Sequence, residues 1–236
     1  MARLMVSVVD RAEALEAVKG GADIVDVKNP AEGALGAQKP WIVKQVKESL
    51  PKPLEFSVTL GDLPYIPGTA SLAAVGAAVL GANYVKVGLL GARRLEEAAR
   101  MVKAVKTSME ALNLKAKIVA CGYADHAEYG SLSPLLLPKA AYKGEADGIL
   151  IDVKSKNSSR NLFSYLTSGN LRKVVAEAQG LGLFAALAGG LSLKTLAECV
   201  RLGADVVGLR RGVLSAEGRI SRGLVAKAAS LVHGEL

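Results

Sequence analysis

Four times along this chain a three-residue element, Gly or Glu then Ala then Asp or Asn, leads directly into a β-rich run. It reads GAD before Ile24, GAN before Tyr84, EAD before Gly148 and GAD before Val206. An internal repeat narrows the possible folds before any residue has a role. Each copy follows a helical pattern and reads as a helix that ends at a small residue and turns into a strand. A further β-rich run and helical pattern separate successive copies, so the repeat spans two β/α units. The patterning predicts strands at residues 4–9, 23–28, 54–60, 83–89, 117–122, 147–153, 183–188 and 205–210. Helices are predicted at 11–19, 39–49, 71–80, 94–112, 135–142, 171–179, 193–202 and 221–232. Eight strands, each followed by a helix with no linker between, imply an α/β fold with a parallel sheet. An open Rossmann sheet alternates in the same way, but recurrence every second unit through the last helix favours closure. The expected fold is therefore a single (β/α)8 TIM barrel covering residues 1–236. The length agrees, since such barrels need roughly 200 to 250 residues.

Aligning the four even strands on the repeated Asp or Asn separates their two faces, because side chains alternate along a strand. One face reads Val25, Val27, Val85, Val87, Ile149, Ile151, Val207 and Leu209, all apolar. The other carries Ile24, Asp26, Lys28, Tyr84, Lys86, Gly88, Gly148, Leu150, Asp152, Val206, Gly208 and Arg210. In a barrel the apolar face packs on the outer helices and the other fills the lumen. Asp26, Lys28, Lys86, Asp152 and Arg210 are thus expected to converge near the carboxyl ends of the strands. Burying so many charges costs several kcal/mol unless they pair, so such a cluster points to function more than to stability.

Composition removes several classes. The two cysteines, Cys121 and Cys199, and two histidines, His126 and His233, have no metal-ligand spacing, so neither a disulfide framework nor a zinc site is expected. Cys121 reads as a small core residue. The opening MARLMVSVVD is too short an apolar run for a signal peptide, and a cytoplasmic location is expected. Residues 65–85 carry no charge, but Pro67, three glycines and Asn83 argue against a membrane span. The net charge of +8 comes with only 4% aromatic residues and no basic stripe interleaved with rings. A small anionic substrate therefore accounts for it better than nucleic acid does. The Ala-rich helices after strands three and eight are candidate faces for a homo-oligomer.

Particular motifs refine the expectation. In DVKNPAEGALGA (26–37), Asp26 and Lys28 share a face, and Gly33 and Gly36 let the following loop close near a ligand. A lysine buried beside other cations has a lowered pKa and is competent for Schiff-base formation. Lys86 can supply the second cation or act as a general base. A structural salt bridge is the alternative. In LIDVKSK (150–156), Asp152 is the inward carboxylate, and spacing does not choose between Lys154 and Lys156. AGGLS (188–192) and RRG (210–212) follow strands seven and eight, the usual phosphate cradle of barrels. Gly189, Gly190, Ser192, Arg210, Arg211 and Gly212 are the expected phosphate-binding residues. In the loop GYADHAEYGSLSP (122–134), Asp125 and His126 read as a turn and a surface histidine rather than an acid/base pair. Tyr123 and Asp125 are also candidates to close over the mouth.

Together DVKNPAEGALGA, SLAAVGAAVLGANYVKVGL, IVACGYADH and LIDVKSK resemble the (5-formylfuran-3-yl)methyl phosphate synthase family, also called 4-(hydroxymethyl)-2-furaldehyde phosphate synthase, over essentially the whole chain. The resemblance implies a lyase of methanofuran biosynthesis. It would condense two molecules of glyceraldehyde 3-phosphate, with loss of one phosphate and two waters. By position it implies Lys28 as the Schiff-base lysine and Lys86 as the proton acceptor. Asp26 and Asp152 would orient the amines, and Lys156 would be a further site lysine, although the loop 157–161 departs from the family pattern. No metal or organic cofactor is implied. Two other barrel chemistries compete. Asp26-x-Lys28 also resembles the strand ends of orotidine-phosphate decarboxylase-like enzymes, which work without an imine, and a class I aldolase would keep its phosphates. A non-catalytic barrel that binds a phosphorylated metabolite or nucleic acid is the reading from a different class.

Overall fold

Eight parallel strands hydrogen-bond in sequence order and close, β8 pairing with β1, in a computed structural model that describes residues 2–155 and 159–234. The strands are β1 (Arg3–Val8), β2 (Ile24–Val27), β3 (Glu55–Asp62), β4 (Tyr84–Gly88), β5 (Lys117–Tyr123), β6 (Gly148–Asp152), β7 (Phe184–Leu187) and β8 (Val206–Leu209). The intervening helices are α1 (Arg11–Lys19), α2 (Pro40–Ser49), α3 (Pro67–Val79), α4 (Leu95–Ala111), α5 (His126–Tyr129), α6 (Leu137–Lys143), α7 (Ser168–Gly180), α8 (Leu193–Arg201) and α9 (Arg222–His233). The fold is thus the expected (β/α)8 barrel. The fifth unit differs from the pattern. Its loop contains the extra turn α5, and a 3-10 turn, Pro134–Leu136, leads into α6 because Pro134 and Pro138 interrupt a longer helix. The uncharged stretch 65–85 holds α3 and the start of β4, and no described helix is long and apolar enough to cross a membrane.

The repeated Asp or Asn has a structural purpose beyond turning the chain. Asp23 Oδ2 accepts from Leu4 N at 2.7 Å, Asn83 Oδ1 from Phe56 N at 2.9 Å, Asp147 Oδ2 from Ile118 N and Asp205 Oδ2 from Ala185 N at 2.8 Å each. The backbone N–H of each donates in return to the carbonyl of that same neighbour. Each even strand therefore clamps the odd strand before it at the amino-terminal end, satisfying a donor that the ladder leaves open.

Two apolar clusters confirm the alternation of faces. The outer one joins Val25, Val27, Val85, Val87, Ile149, Ile151, Val207 and Leu209 to helix residues such as Ala74, Val102, Val174 and Val225. The inner one comprises Met5, Ile24, Leu35, Tyr84, Val119, Cys121, Tyr123, Leu150, Ala186, Ala188 and Val206. Cys121 is wholly buried, and burial pushes its thiol pKa well above the ordinary value, so it packs as a core residue. Apolar side chains fill the lower lumen, and polar ones take its upper layers.

Candidate active site at the barrel mouth

At the carboxyl ends of the strands a cavity of about 270 Å³ opens, lined by Lys28, Lys86, Asp152, Lys154, Gly189, Gly190, Arg210 and Arg211 among others. Asp26 lies beneath its floor and is wholly buried. The residues come together because register places Ser7, Asp26 and Ser57 side by side on β1, β2 and β3, and Thr59 beside Lys86 on β3 and β4. Asp26 Oδ2 holds Lys86 Nζ at 2.7 Å and accepts from Ser7 Oγ at 2.8 Å. Its Oδ1 has no hydrogen-bond partner among the described residues. Lys86 is 3% exposed, so this ion pair is desolvated on both sides.

Lys28 stands just past the end of β2, with Nζ donating to Ala34 O at 3.2 Å. Its side chain keeps some contact with solvent at the rim, while the amine itself is closely surrounded. Burial lowers the Lys28 pKa below the ordinary lysine value; the nearby Lys86 and Arg210 add to the shift, and Asp152 and Asp26 oppose it. Burial raises the Asp152 pKa, while Lys28 and a 2.7 Å bond from Val153 N favour the charged form. Lys28, Lys86 and Asp152, in unequal environments, thus line one opening with Asp26 beneath it, an arrangement suited to proton transfer at a bound carbonyl compound. Lys156 lies outside the described residues.

The anion-binding expectation divides. Gly189 and Gly190 line the cavity with φ of +102° and +64°, values that a side chain would strain. A Cβ on Gly190 would lie 2.4 Å from Arg211 Nη2, which donates to Gly190 O and Arg160 O at 3.1 Å each. Ser192 and Gly212 stand behind these residues rather than lining the cavity. Ser192 caps α8, bonding Thr195, and Gly212 lets the 3-10 turn Arg211–Val213 pack on Leu191 and Ser192.

Arg210 corrects the expected convergence in part. It lines the cavity, but its guanidinium turns to Glu13 of α1, with Nη1 at 2.7 Å from Oε2 and Nη2 at 3.3 Å from Oε1, and it also donates to Ser7 O at 3.0 Å. Glu13 is 2% exposed and also accepts from Val9 N at 3.0 Å. Truncating Glu13 to Ala would strand this guanidinium and an amide, lowering stability by about 3 kcal/mol in urea unfolding.

In the loop after β5, Asp125 is a clamp. Its carboxylate accepts from Lys154 N at 2.9 Å and Ser155 N at 2.7 Å, while His126 begins α5. Tyr123 does not close over the mouth. It is wholly buried in the lumen and donates to Asp62 Oδ1 at 2.6 Å. Asp62 is the residue that sequence reasoning missed. Its side chain is 5% exposed, with Oδ2 3.4 Å from Lys154 Nζ.

A closed parallel barrel with two lysines and two carboxylates at its carboxyl-end mouth belongs to the class that carries out chemistry on small molecules at that face. Solved barrels share its shape. 3-Hexulose-6-phosphate synthase from Salmonella typhimurium superimposes with a TM-score of 0.68 at 16% identity, over 99% of this chain and 100% of that one. Phosphoribosyl anthranilate isomerase from Thermotoga maritima gives 0.67 at 15%, again over 99% and 100%. At such identities the likeness concerns fold alone. The family is shown by sequence: the chain belongs to the 4-HFC-P synthase family, whose model matches residues 4–229. A relative from Archaeoglobus fulgidus, named (5-formylfuran-3-yl)methyl phosphate synthase, is 43% identical over 98% of this chain and 100% of its own. One from Methanocaldococcus jannaschii with the same name is 43% identical over 94% of this chain and 96% of its own.

Proposed function

We propose that this chain is a carbon-oxygen lyase of methanofuran biosynthesis, condensing two molecules of glyceraldehyde 3-phosphate to 4-(hydroxymethyl)-2-furancarboxaldehyde phosphate. One phosphate and two waters leave. The observation that carries the reading is Lys28, its pKa lowered by burial, opening on the same cavity as Lys86 and Asp152. Membership of the 4-HFC-P synthase family supports a phosphorylated furan aldehyde as the product.

The neutral Lys28 amine adds to the aldehyde of one triose phosphate and loses water, leaving an iminium that acidifies the adjacent C–H. Lys86 removes that proton as general base in its neutral form, its own proton passed to Asp26 across their 2.7 Å contact. The resulting enamine expels phosphate from its β carbon, and that terminal carbon then forms the new carbon–carbon bond at C2 of the second triose phosphate, which a proton shift has converted to its ketone isomer. Ring closure by the hydroxyl, dehydration and return of the amine of Lys28 complete the cycle, and aromatisation drives the last steps. Gly189, Gly190 and Arg211 supply backbone N–H groups and a cation at one side of the mouth for a phosphate.

The test is incubation with glyceraldehyde 3-phosphate, reading the furan aldehyde by mass and ultraviolet absorbance together with free phosphate. The expected yield is one phosphate for each pair of trioses consumed. Carbon–carbon bond formation without phosphate release would make the chain an aldolase instead. Binding of triose phosphate without turnover would leave only a binding barrel.

A further inference from the structure

Three residues of β3 span two of β4 at the barrel mouth: Thr59 pairs with Lys86, and the next partners are Asp62 and Gly88. In a regular strand Ser57, Thr59 and Gly61 would share the inward face, and Asp62 would point to the helices. The extra residue, with Gly61 at φ +116°, reverses this parity and brings Asp62 inward. Bulges beside active sites are a known means of re-aiming one side chain. The chain keeps space for the result. A Cβ on Gly33 would lie 2.0 Å from Asp62 Oδ2, and one on Gly88 would lie 2.2 Å from Gly61 O and 2.7 Å from Tyr123 Oη.

Four donors from three other loops and strands meet on this carboxylate. Ala34 N donates to Oδ2 at 2.8 Å and Leu35 N to Oδ1 at 3.1 Å, both from the loop after β2. Tyr123 Oη donates from β5 at 2.6 Å, and Lys154 Nζ approaches from beyond β6 at 3.4 Å. Ala34 is also the residue whose carbonyl accepts from Lys28 Nζ. A single peptide segment therefore connects Asp62 to the amine.

We infer that Asp62 is a positioning residue for Lys28: it anchors Ala34 and Leu35 so that Ala34 O fixes the direction of the Lys28 amine, and it holds Lys154 at the rim of the same cavity. The inference rests on the Schiff-base reading above. A protonated imine at Lys28 retains one N–H. With Ala34 O as its acceptor, the imine presents one face to the cavity and to Lys86. Without the anchor the loop carbonyl drifts and the imine loses its orientation, while the groups that contact substrate phosphate stay in place. The defect thus falls on turnover rather than on affinity.

The test is borohydride trapping with glyceraldehyde 3-phosphate, reading mass added at Lys28 in wild type, Asp62→Asn and Tyr123→Phe, normalised to folded protein. Asp62→Asn is expected to slow trapping at saturation by roughly tenfold or more, with half-saturation moving less than about threefold. Asp62→Glu, one methylene too long for the space beside Gly33, should not rescue it. Wild-type trapping per folded molecule, or a change in half-saturation alone, would overturn the inference. Should Asp62→Asn fail to fold, Tyr123→Phe removes one donor only and should slow trapping several-fold; an unchanged rate there is equally fatal. A wild-type protein that never traps at Lys28 would sink the Schiff-base reading instead. The anchoring is then judged by hydrogen exchange at Ala34 and Leu35, where wild-type protection in Asp62→Asn overturns it.

Discussion

Replacing Lys28 with Ala is expected to lower furan aldehyde formation by roughly 10⁴-fold or more, because the covalent route loses its nucleophile and, among the described residues, the neighbouring amines are already engaged. Lys86 is committed to Asp26 at 2.7 Å, and Lys154 is held toward Asp62. The pH dependence supplies an independent signature. Imine formation needs the neutral amine, so the rate rises with pH through the pKa of Lys28. Burial lowers that pKa from the ordinary 10.5, so the ascending limb belongs below the range of a free lysine. Among the surrounding charges Asp152 opposes the shift most, and Lys86 adds to it. Asp152→Asn should therefore move the limb to lower pH, and Lys86→Met should move it upward, whatever either does to the maximal rate. Borohydride trapping at Lys28 across a pH series reads all three. Near-normal product formation by the Lys28→Ala protein would remove the covalent role, and a limb near that of free lysine would contradict the buried amine.

Most of this architecture follows from patterns along one dimension. The recurring Asp or Asn announces paired units because it does the same work four times, clamping Leu4, Phe56, Ile118 and Ala185 by their amides. Parity then sorts the even strands correctly, since period-two alternation is a property of the strand itself and needs no knowledge of neighbours. It fails where a strand departs from regularity or a side chain finds a partner in another unit. Asp62 escaped because the alignment of faces covers only the even strands and the third strand is expected to end at residue 60, before the bulge that turns Asp62 inward. The signal lay in GD at the end of β3, a glycine that admits the positive φ of a bulge. Arg210 was assigned to the converging group because nothing in RRG reveals that Glu13, some two hundred positions away, stands across the β8–β1 seam. Similarly, Gly-Gly after β7 signals a cradle, but which of its neighbours line the cavity depends on how two turns pack, as Ser192 and Gly212 show.

Asp26→Ala is expected to be the most destabilising single change at the mouth, costing about 3 to 5 kcal/mol in urea unfolding. The reason is asymmetry. Together the two charges neutralise each other in a desolvated layer; alone, the Lys86 ammonium, 3% exposed in the intact protein, keeps no counter-ion within 4 Å among the described residues. Ser7 Oγ loses its acceptor as well. For a chain of this size such a loss lowers Tm by roughly 10 °C. The double variant Asp26→Leu, Lys86→Met separates stability from function. A buried ion pair replaced by apolar groups of similar volume is often neutral or stabilising, so the double variant should recover most of the lost stability. It should nevertheless make no product, because the general base has gone. Asp26 Oδ1, buried without a partner among the described residues, points the same way: stability alone does not explain a carboxylate left half satisfied. Thus folding would tolerate an apolar floor, and the chemistry at Lys28 is what requires the charged one. A double variant that is stable and fully active would show the pair to be ornamental to the reaction. A single variant as stable as wild type would show that Lys86 finds another partner, and the electrostatic account of the site would have to be rebuilt around it.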